Sequence, residues 1–155
     1  MNAKLNRSQW EAHAKSLTIR AQAFINGNYV DAASGKTFSC ISPIDGQSIA
    51  QVAECAEEDV NRAVKAARHA FEAGFWSESS PVHRKRVLQK FALLIEQHAE
   101  ELALLESIDM GKPVADALSI DVSASVRCLS WTAEAVDKVY GEIAPTPNDE
   151  LGLIT

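Results

Sequence analysis

The longest regular pattern of apolar positions in the chain runs from Ser80 to Pro113. Its apolar residues recur mostly three or four positions apart, the spacing that places them on one face of a helix. These residues are Val87, Leu88, Phe91, Leu94, Ile95, Leu102, Leu105 and Ile108. Ser80 suits the N-cap, Gly111 suits the left-handed residue that ends a helix, and Pro113 blocks continuation. The pattern predicts one uninterrupted helix over residues 81–110.

Two further amphipathic helices are predicted, one before and one after this stretch. The first covers residues 57–73, has three acidic residues in its opening turn, where carboxylates favour the helix dipole, and ends at Gly74. The second covers residues 114–140 and ends at Gly141. A shorter segment over residues 8–17 is weakly amphipathic, and it is interpreted as a docked arm or a frayed end.

Short β-prone runs separated by turn residues fill the first third of the chain. An Asn-Gly turn lies between the apolar residues 24–25 and 29–30, which predicts a hairpin. Residues 37–41 and 48–53 are predicted as a second pair of strands, because a turn containing Pro and Gly separates them. The local patterns therefore predict antiparallel hairpins followed by three main helices.

Composition limits the partners that the chain can have. Its 155 residues carry a net charge of −6, with 46% hydrophobic and 23% charged residues, which is typical of a soluble globular domain. This acidic balance argues against nucleic acid or an anionic membrane as a main partner. No apolar run approaches the roughly 20 residues of a membrane span. Three scattered cysteines without a CxxC pair are typical of a reducing, cytoplasmic setting.

No constellation of catalytic residues is apparent in the sequence. The four histidines lack the spacing of a helical metal site, and no glycine-rich phosphate loop occurs. His98 is interpreted as a partly buried packing residue and Cys128 as an inert thiol on an apolar helix face. Phe75 and Trp76 are expected to fill a gap beneath the helix that precedes them. Arg84 lies in a basic run at the start of the long helix, where it opposes the dipole, so acidic partners are expected nearby.

Asp109 is the residue whose sequence context leaves several roles open. It is predicted in the last helical turn, beside the negative end of the helix dipole, where a carboxylate needs a compensating cation. The candidates are Lys112, the N-terminus of the next helix, and a hard metal ion held together with backbone carbonyls. From the residues alone, a salt bridge or a capping role is favoured over the metal ion.

An ordered set of motifs resembles a known family. The segments FINGNYV, SPIDGQ, EEDVNRAVKAARHAFEAGFW, LESIDMGKP and WTAEAVDKVYGE follow one another as in the N-terminal part of the NAD(P)-dependent aldehyde dehydrogenases. The resemblance covers nearly the whole chain from Phe24 onwards and about the first third of the family's usual length. Within the family, the chain is most similar to the bacterial gamma-glutamyl-gamma-aminobutyraldehyde dehydrogenases of putrescine breakdown.

The resemblance implies an α/β fold and an oxidoreductase activity. In the family a cysteine thiolate attacks an aldehyde, hydride passes to NAD or NADP, and a glutamate activates water to release the acid. The resemblance places those catalytic residues, the cofactor-binding loop and most of the dinucleotide-binding sheet beyond this chain. No catalytic or cofactor-binding residue is therefore assigned here, and the 155-residue chain alone is expected to be inactive.

The resemblance also assigns parts of the chain. Residues 1–22 would form an N-terminal arm, residues 23–141 the N-terminal part of the dinucleotide-binding domain, and residues 142–155 the start of an oligomerisation strand segment that looks truncated. The family often holds a monovalent cation near the positions of Ile41, through its carbonyl, and Asp109, through its carboxylate. With this implication, a bound cation and a salt bridge or capping role are equally favoured for Asp109.

Partners follow from the same resemblance. The expected partners are further copies of the chain or the remainder of the enzyme, together with an aldehyde substrate. Three apolar helix faces without the family's sheet should stay partly exposed and favour association. The alternative function is a non-catalytic helical interaction module or a truncated relic.

Overall fold

A computed structural model describes residues 5–144, 146–147 and 149–154. Its helical segments are α1 (Arg7–Ser16), α2 (Glu57–Glu72), α3 (Pro81–Gln97), α4 (Ala99–Met110), α5 (Val114–Asp116), a π-helix (Ala117–Val122) and α6 (Ser123–Ala135). Its strands are β1 (Ala23–Ile25), β2 (Asn28–Val30), β3 (Thr37–Ile41), β4 (Ser48–Ala53), β5 (Glu142–Ala144) and β6 (Gly152–Ile154).

The described strands form three separate antiparallel pairs, β1–β2, β3–β4 and β5–β6. The first two pairs confirm the predicted hairpins, and Asn26 and Gly27 have the positive φ angles (52° and 78°) that a tight two-residue turn requires. Within residues 142–155, for which a strand segment was expected, the third pair joins β5 and β6. Pro145, Asn148 and Thr155 of this segment lie outside the described residues.

The predicted uninterrupted helix over residues 81–110 is wrong, because it divides at His98 into α3 and α4. The backbone of His98 leaves the helical region, with φ −104° and ψ 19°. Its N–H still bonds to the carbonyl of Leu94, and its own carbonyl accepts the N–H of Leu102. The two halves then follow different neighbours, since α3 packs along α6 and α4 packs on the π-helix. The break lets each apolar face meet its own partner.

The predicted helix over residues 114–140 is also different in the structure. It opens as the short α5, widens into the π-helix and ends at Ala135 rather than near Gly141. The hydroxyl of Ser123 donates to the carbonyl of Leu118 within the wide turns. At the other end, the ammonium of Lys138 donates to the carbonyl of Glu134, which satisfies a free carbonyl of the last turn. A side chain thus bonds to a backbone carbonyl at each of the two changes.

The buried core is small and built from small residues. Ala103 of α4 and Ala117 of the π-helix have no exposed surface, and Val122 is nearly buried beside them. Alanine side chains let the two backbones approach closely. Around them pack the half-buried residues Ile95, Ala99, Val114 and Leu118. This cluster fixes α4 against the π-helix.

A buried carboxylate attaches α2 to the hairpin region. Asp59 accepts hydrogen bonds from the backbone N–H groups of Ala56 (3.1 Å) and Ala33 (2.9 Å) and lies near Arg62 (3.5 Å). These bonds hold the pKa of the Asp59 carboxyl below its usual range, despite its burial. Because Ala33 follows the β1–β2 hairpin, Asp59 determines where α2 begins relative to that hairpin.

Large apolar side chains remain exposed on several elements. Phe91 of α3 is 51% exposed and Phe71 of α2 is 61% exposed, which agrees with the expected exposure of the apolar helix faces. Phe75 and Trp76 do not fill a gap beneath α2, because Phe75 is 84% exposed and Trp76 is 44% exposed. Phe75 in particular leaves most of its surface uncovered within the described residues.

The buried alanine contact yields a packing prediction. Ala117→Leu forces extra volume between α4 and the π-helix, and it should lower the free energy of unfolding by about 1–3 kcal/mol. Ala124→Leu is the matched control, because Ala124 lies on an exposed face of α6, and it should change that free energy by less than about 0.5 kcal/mol. Urea unfolding followed by circular dichroism measures both values. Equal losses in the two variants would contradict the packing account.

Candidate functional site

Asp109, the proposed metal residue, lies at the C-terminal end of α4 and faces the end of β3. Its Oδ1 atom is 3.4 Å from Sγ of Cys40, whose thiol donates to it. Cys40 comes one residue before Ile41, the other residue that the sequence analysis assigned to a cation. The structure therefore brings the residue before Ile41 into contact with Asp109, although 67 residues lie between Ile41 and Asp109 in the sequence.

The ends of β3 and α4 are held together by their turns. Gly111 closes α4 in the left-handed conformation, with φ 74°. A side chain at this position would also approach Pro43 of the β3–β4 turn, because a Cβ atom would lie 3.2 Å from its Cγ. The positive φ angle therefore favours glycine at this position, and a Cβ atom would in addition require Pro43 to shift by a few tenths of an ångström. The contact keeps the carboxylate of Asp109 beside β3.

A bulge in the β3–β4 pair shapes this end of the sheet. Cys40 pairs with Ala50, whereas Ile41 pairs with Ser48, so Ile49 is an extra residue on β4. A cleft of about 320 Å³ opens between the strands and α4. It is lined by Ile19, Cys40, Ile49, Ala50, Val52, Leu105, Glu106, Ile108 and Asp109. The carboxylate of Asp109 thus borders a mainly apolar cleft.

The expected ion pair between Lys112 and Asp109 is wrong. The ammonium of Lys112 contacts the carboxylate of Asp121 on the π-helix, and it lies 3.9 Å from Glu106. The hydrogen bond to Asp121 raises the pKa of Lys112 above its usual value. The helix predicted over residues 114–140 includes Asp121, but its pattern did not indicate that this residue would meet Lys112. Nor did the sequence reveal the contact between Cys40 and Asp109, which lie far apart in the chain.

Acidic partners were expected for the basic run at the start of α3. In the structure they contact Lys85 rather than Arg84. The ammonium of Lys85 lies 2.8 Å from Glu134 and 3.3 Å from Asp137, at the end of α6. Arg84 instead donates to the backbone carbonyl of Ser79 at 2.7 Å. The Lys85 contacts join α3 to α6 and have no apparent chemical role.

Two other sequence interpretations are corrected. His98 is an exposed residue at the break between α3 and α4, where its ring lies 3.4 Å from Glu101. Cys128 is exposed on α6 rather than packed in the core.

Among the residues that the structure describes, no three His, Cys, Asp or Glu side chains cluster closely enough to hold a metal ion. None of the described helices has the length and apolarity to cross a membrane.

The contact between Cys40 and Asp109 predicts that the thiol of Cys40 reacts slowly with alkylating reagents. The hydrogen bond to the carboxylate, together with burial, raises the pKa of Cys40, so less thiolate is present at a given pH. Asp109→Asn removes the negative charge and should shift the pH profile of Cys40 alkylation to lower pH. Exposed Cys55 is the internal control, whose rate should not change.

Timed iodoacetamide labelling with peptide mass spectrometry measures both rates in one sample. The wild-type chain should label Cys55 faster than Cys40 between pH 7 and pH 9. A labelling rate of Cys40 that equals that of Cys55, or that is unchanged by Asp109→Asn, would refute the role of the carboxylate.

Known proteins match this chain over most of its length. The model of the aldehyde dehydrogenase family matches residues 29–155. The NADP/NAD-dependent aldehyde dehydrogenase PuuC of Escherichia coli (strain K12) is 48% identical over 145 residues, which is 94% of this chain and 29% of that relative.

Solved structures match equally well. A mutant of the indole-3-acetaldehyde dehydrogenase AldA of P. syringae, solved with NAD⁺ and IAA, is 53% identical with a TM-score of 0.95, over 98% of this chain and 31% of that one. The gamma-glutamyl-gamma-aminobutyraldehyde dehydrogenase of Burkholderia cenocepacia J2315 is 49% identical with a TM-score of 0.93, over 96% of this chain and 30% of that one. The chain thus spans about 30% of the length of these relatives, and it belongs to the aldehyde dehydrogenase family.

Proposed function

We propose that this chain is the N-terminal segment of an NAD(P)-dependent enzyme that oxidises an aldehyde to a carboxylic acid. The observation that carries the proposal is the match of residues 29–155 to the family model, together with 48% identity to PuuC. Gamma-glutamyl-gamma-aminobutyraldehyde is the proposed substrate, and a substrate of the indole-3-acetaldehyde type is the competitor, since both kinds of relative match at similar identity.

In this proposal the chain supports the reaction rather than performing it. When bound, NAD or NADP accepts the hydride of the aldehyde. A thiolate nucleophile needs a lowered pKa, whereas the pKa of Cys40 is raised by Asp109. The described residues offer no phosphate-binding loop, and the resemblance places that loop and the nucleophile beyond this chain. Its part is to supply helices and hairpins that pack beside those elements.

We also propose that Ile41 and Asp109 hold a monovalent cation. A carboxylate and a backbone carbonyl are hard oxygen ligands, which suit an alkali ion. Asp109 lies where the helix dipole disfavours a negative charge. Its one side-chain partner among the described residues is the thiol of Cys40, which donates a hydrogen but no positive charge. These residues therefore fit a cation better than they fit an internal ion pair.

The proposed organisation follows the family. Residues 1–22 form the arm, residues 23–141 belong to the dinucleotide-binding domain, and residues 142–155 begin the oligomerisation segment. The exposed apolar faces of α2 and α3 support a partner in the form of further copies or the remainder of the enzyme. The cytoplasm is the proposed location, since three free cysteines suit a reducing compartment.

Activity measurements test the proposed function. The protein expressed from its own gene should form NADH or NADPH with gamma-glutamyl-gamma-aminobutyraldehyde. The 155-residue chain alone should form none, because its sequence shows no nucleophile–base pair and no phosphate-binding loop. PuuC assayed in parallel is the positive control. The DNA that follows codon 155 should encode a Pro-Trp-Asn-Phe segment and a later cysteine motif. Turnover by the purified chain alone, or the lack of such a continuation, would contradict the proposal.

A further inference from the structure

Asp109 and Lys112 could form an ion pair, yet they do not. Only two residues separate them, and Gly111 turns the chain sharply between them. A carboxylate at the C-terminal end of α4 gains from any nearby cation. Lys112 is the cation that follows it most closely in the sequence, and its flexible four-carbon side chain has the reach. Something must therefore draw its ammonium away.

Lys112 is drawn to the opposite side by the π-helix. Its ammonium contacts the carboxylate of Asp121 and lies 3.9 Å from Glu106. Its carbonyl accepts the hydroxyl of Ser107 at 2.7 Å, so the backbone is held as well. The side chains of Lys112, Asp121 and Glu106 are each about one third exposed or less (30%, 35% and 26%), which makes the ion pairs stronger than fully exposed ones.

The position of Asp121 depends on the wide turns of the π-helix. Ala117, at the start of this helix, is buried against Ala103 of α4, so the helix cannot shift without losing the core. The hydroxyl of Ser125 also bonds to the carbonyl of Asp121 at 2.9 Å. The carboxylate of Asp121 is thus held on a rigid element, within reach of Lys112.

We propose that Asp121 is a positioning residue that keeps Lys112 away from Asp109, so that the carboxylate of Asp109 stays available to a monovalent cation. The inference rests on the proposed cation site at Ile41 and Asp109. Two positive charges compete for one carboxylate, and the lysine, being tethered, would have a high effective concentration. Asp121 removes this competitor. Cys40 does not compete, because its thiol is neutral.

Cation-dependent stabilisation tests the inference. The melting temperature of the protein expressed from its own gene is measured against potassium chloride and sodium chloride, with choline chloride holding ionic strength constant. An ion that binds the folded state raises the melting temperature with a half-saturation set by its affinity. The variants are Asp121→Asn, Lys112→Met, the two combined, and Asp109→Asn.

Each variant is expected to change the cation affinity in a defined direction. Asp121→Asn should weaken cation binding about two- to fivefold, because the freed lysine competes at the strength of a partly exposed ion pair. Adding Lys112→Met should restore the wild-type affinity, since the competitor is gone. Lys112→Met alone should bind at least as tightly as wild type, and Asp109→Asn should lose the response.

Other patterns overturn the inference. If Asp121→Asn keeps the wild-type affinity, or if Lys112→Met does not rescue it, Asp121 acts only on the fold. If Asp121→Asn does not fold, Lys112→Met alone tests the inference. A loss of cation binding in that variant would mean that Lys112 is part of the site, which contradicts the inference. When wild type and Asp109→Asn respond equally to the ions, the proposed cation site itself fails and the inference fails with it. That result would not bear on the proposed dehydrogenase activity, which the formation of NADH or NADPH tests separately.

Discussion

The contact between Ala103 of α4 and Ala117 of the π-helix is the constraint on which the rest of the helical region depends. Both residues are fully buried, and their small side chains let two backbones meet closely. This contact orients the end of α4, where Asp109 faces β3. It also holds the π-helix so that Asp121 meets Lys112. The packing of α4 on the π-helix therefore sets the relative position of the segments that carry Lys112 and Asp121.

Outside that contact, the chain buries few large side chains. Val64 on α2 and Trp131 on α6 are 60% and 74% exposed, although their helices are amphipathic. Exposed aromatic and aliphatic faces of this kind mark surfaces that pack against other protein. The relatives are about three times longer than this chain, so their additional residues are the proposed source of that cover. Asp59 shows the opposite case, in which a buried carboxylate is fully satisfied within the chain.

Local signals were predictable and long-range ones were not. The hairpins followed from turn residues between short β-prone runs, and α2 followed from its amphipathic pattern and acidic first turn, because both signals depend on nearby residues. The break at His98 and the π-helix depend on packing between distant segments and on serine hydroxyls that capture carbonyls, which periodicity does not encode. The same limit applies to the site. The sequence placed Asp109 at a helix end and Asp121 within the helix predicted over residues 114–140, but the contact between Lys112 and Asp121 was not evident from either pattern.

Hydrogen–deuterium exchange on the chain tests the central role of the alanine contact most directly. Amides in α4, the π-helix and the adjoining part of α6 should exchange slowest, because they surround the buried cluster. Amides in the β1–β2 hairpin and in α2 should exchange faster, since their apolar faces are exposed. Slow exchange in the hairpin or α2 that matches or exceeds that of α4 would contradict the account, as would uniform exchange along the chain.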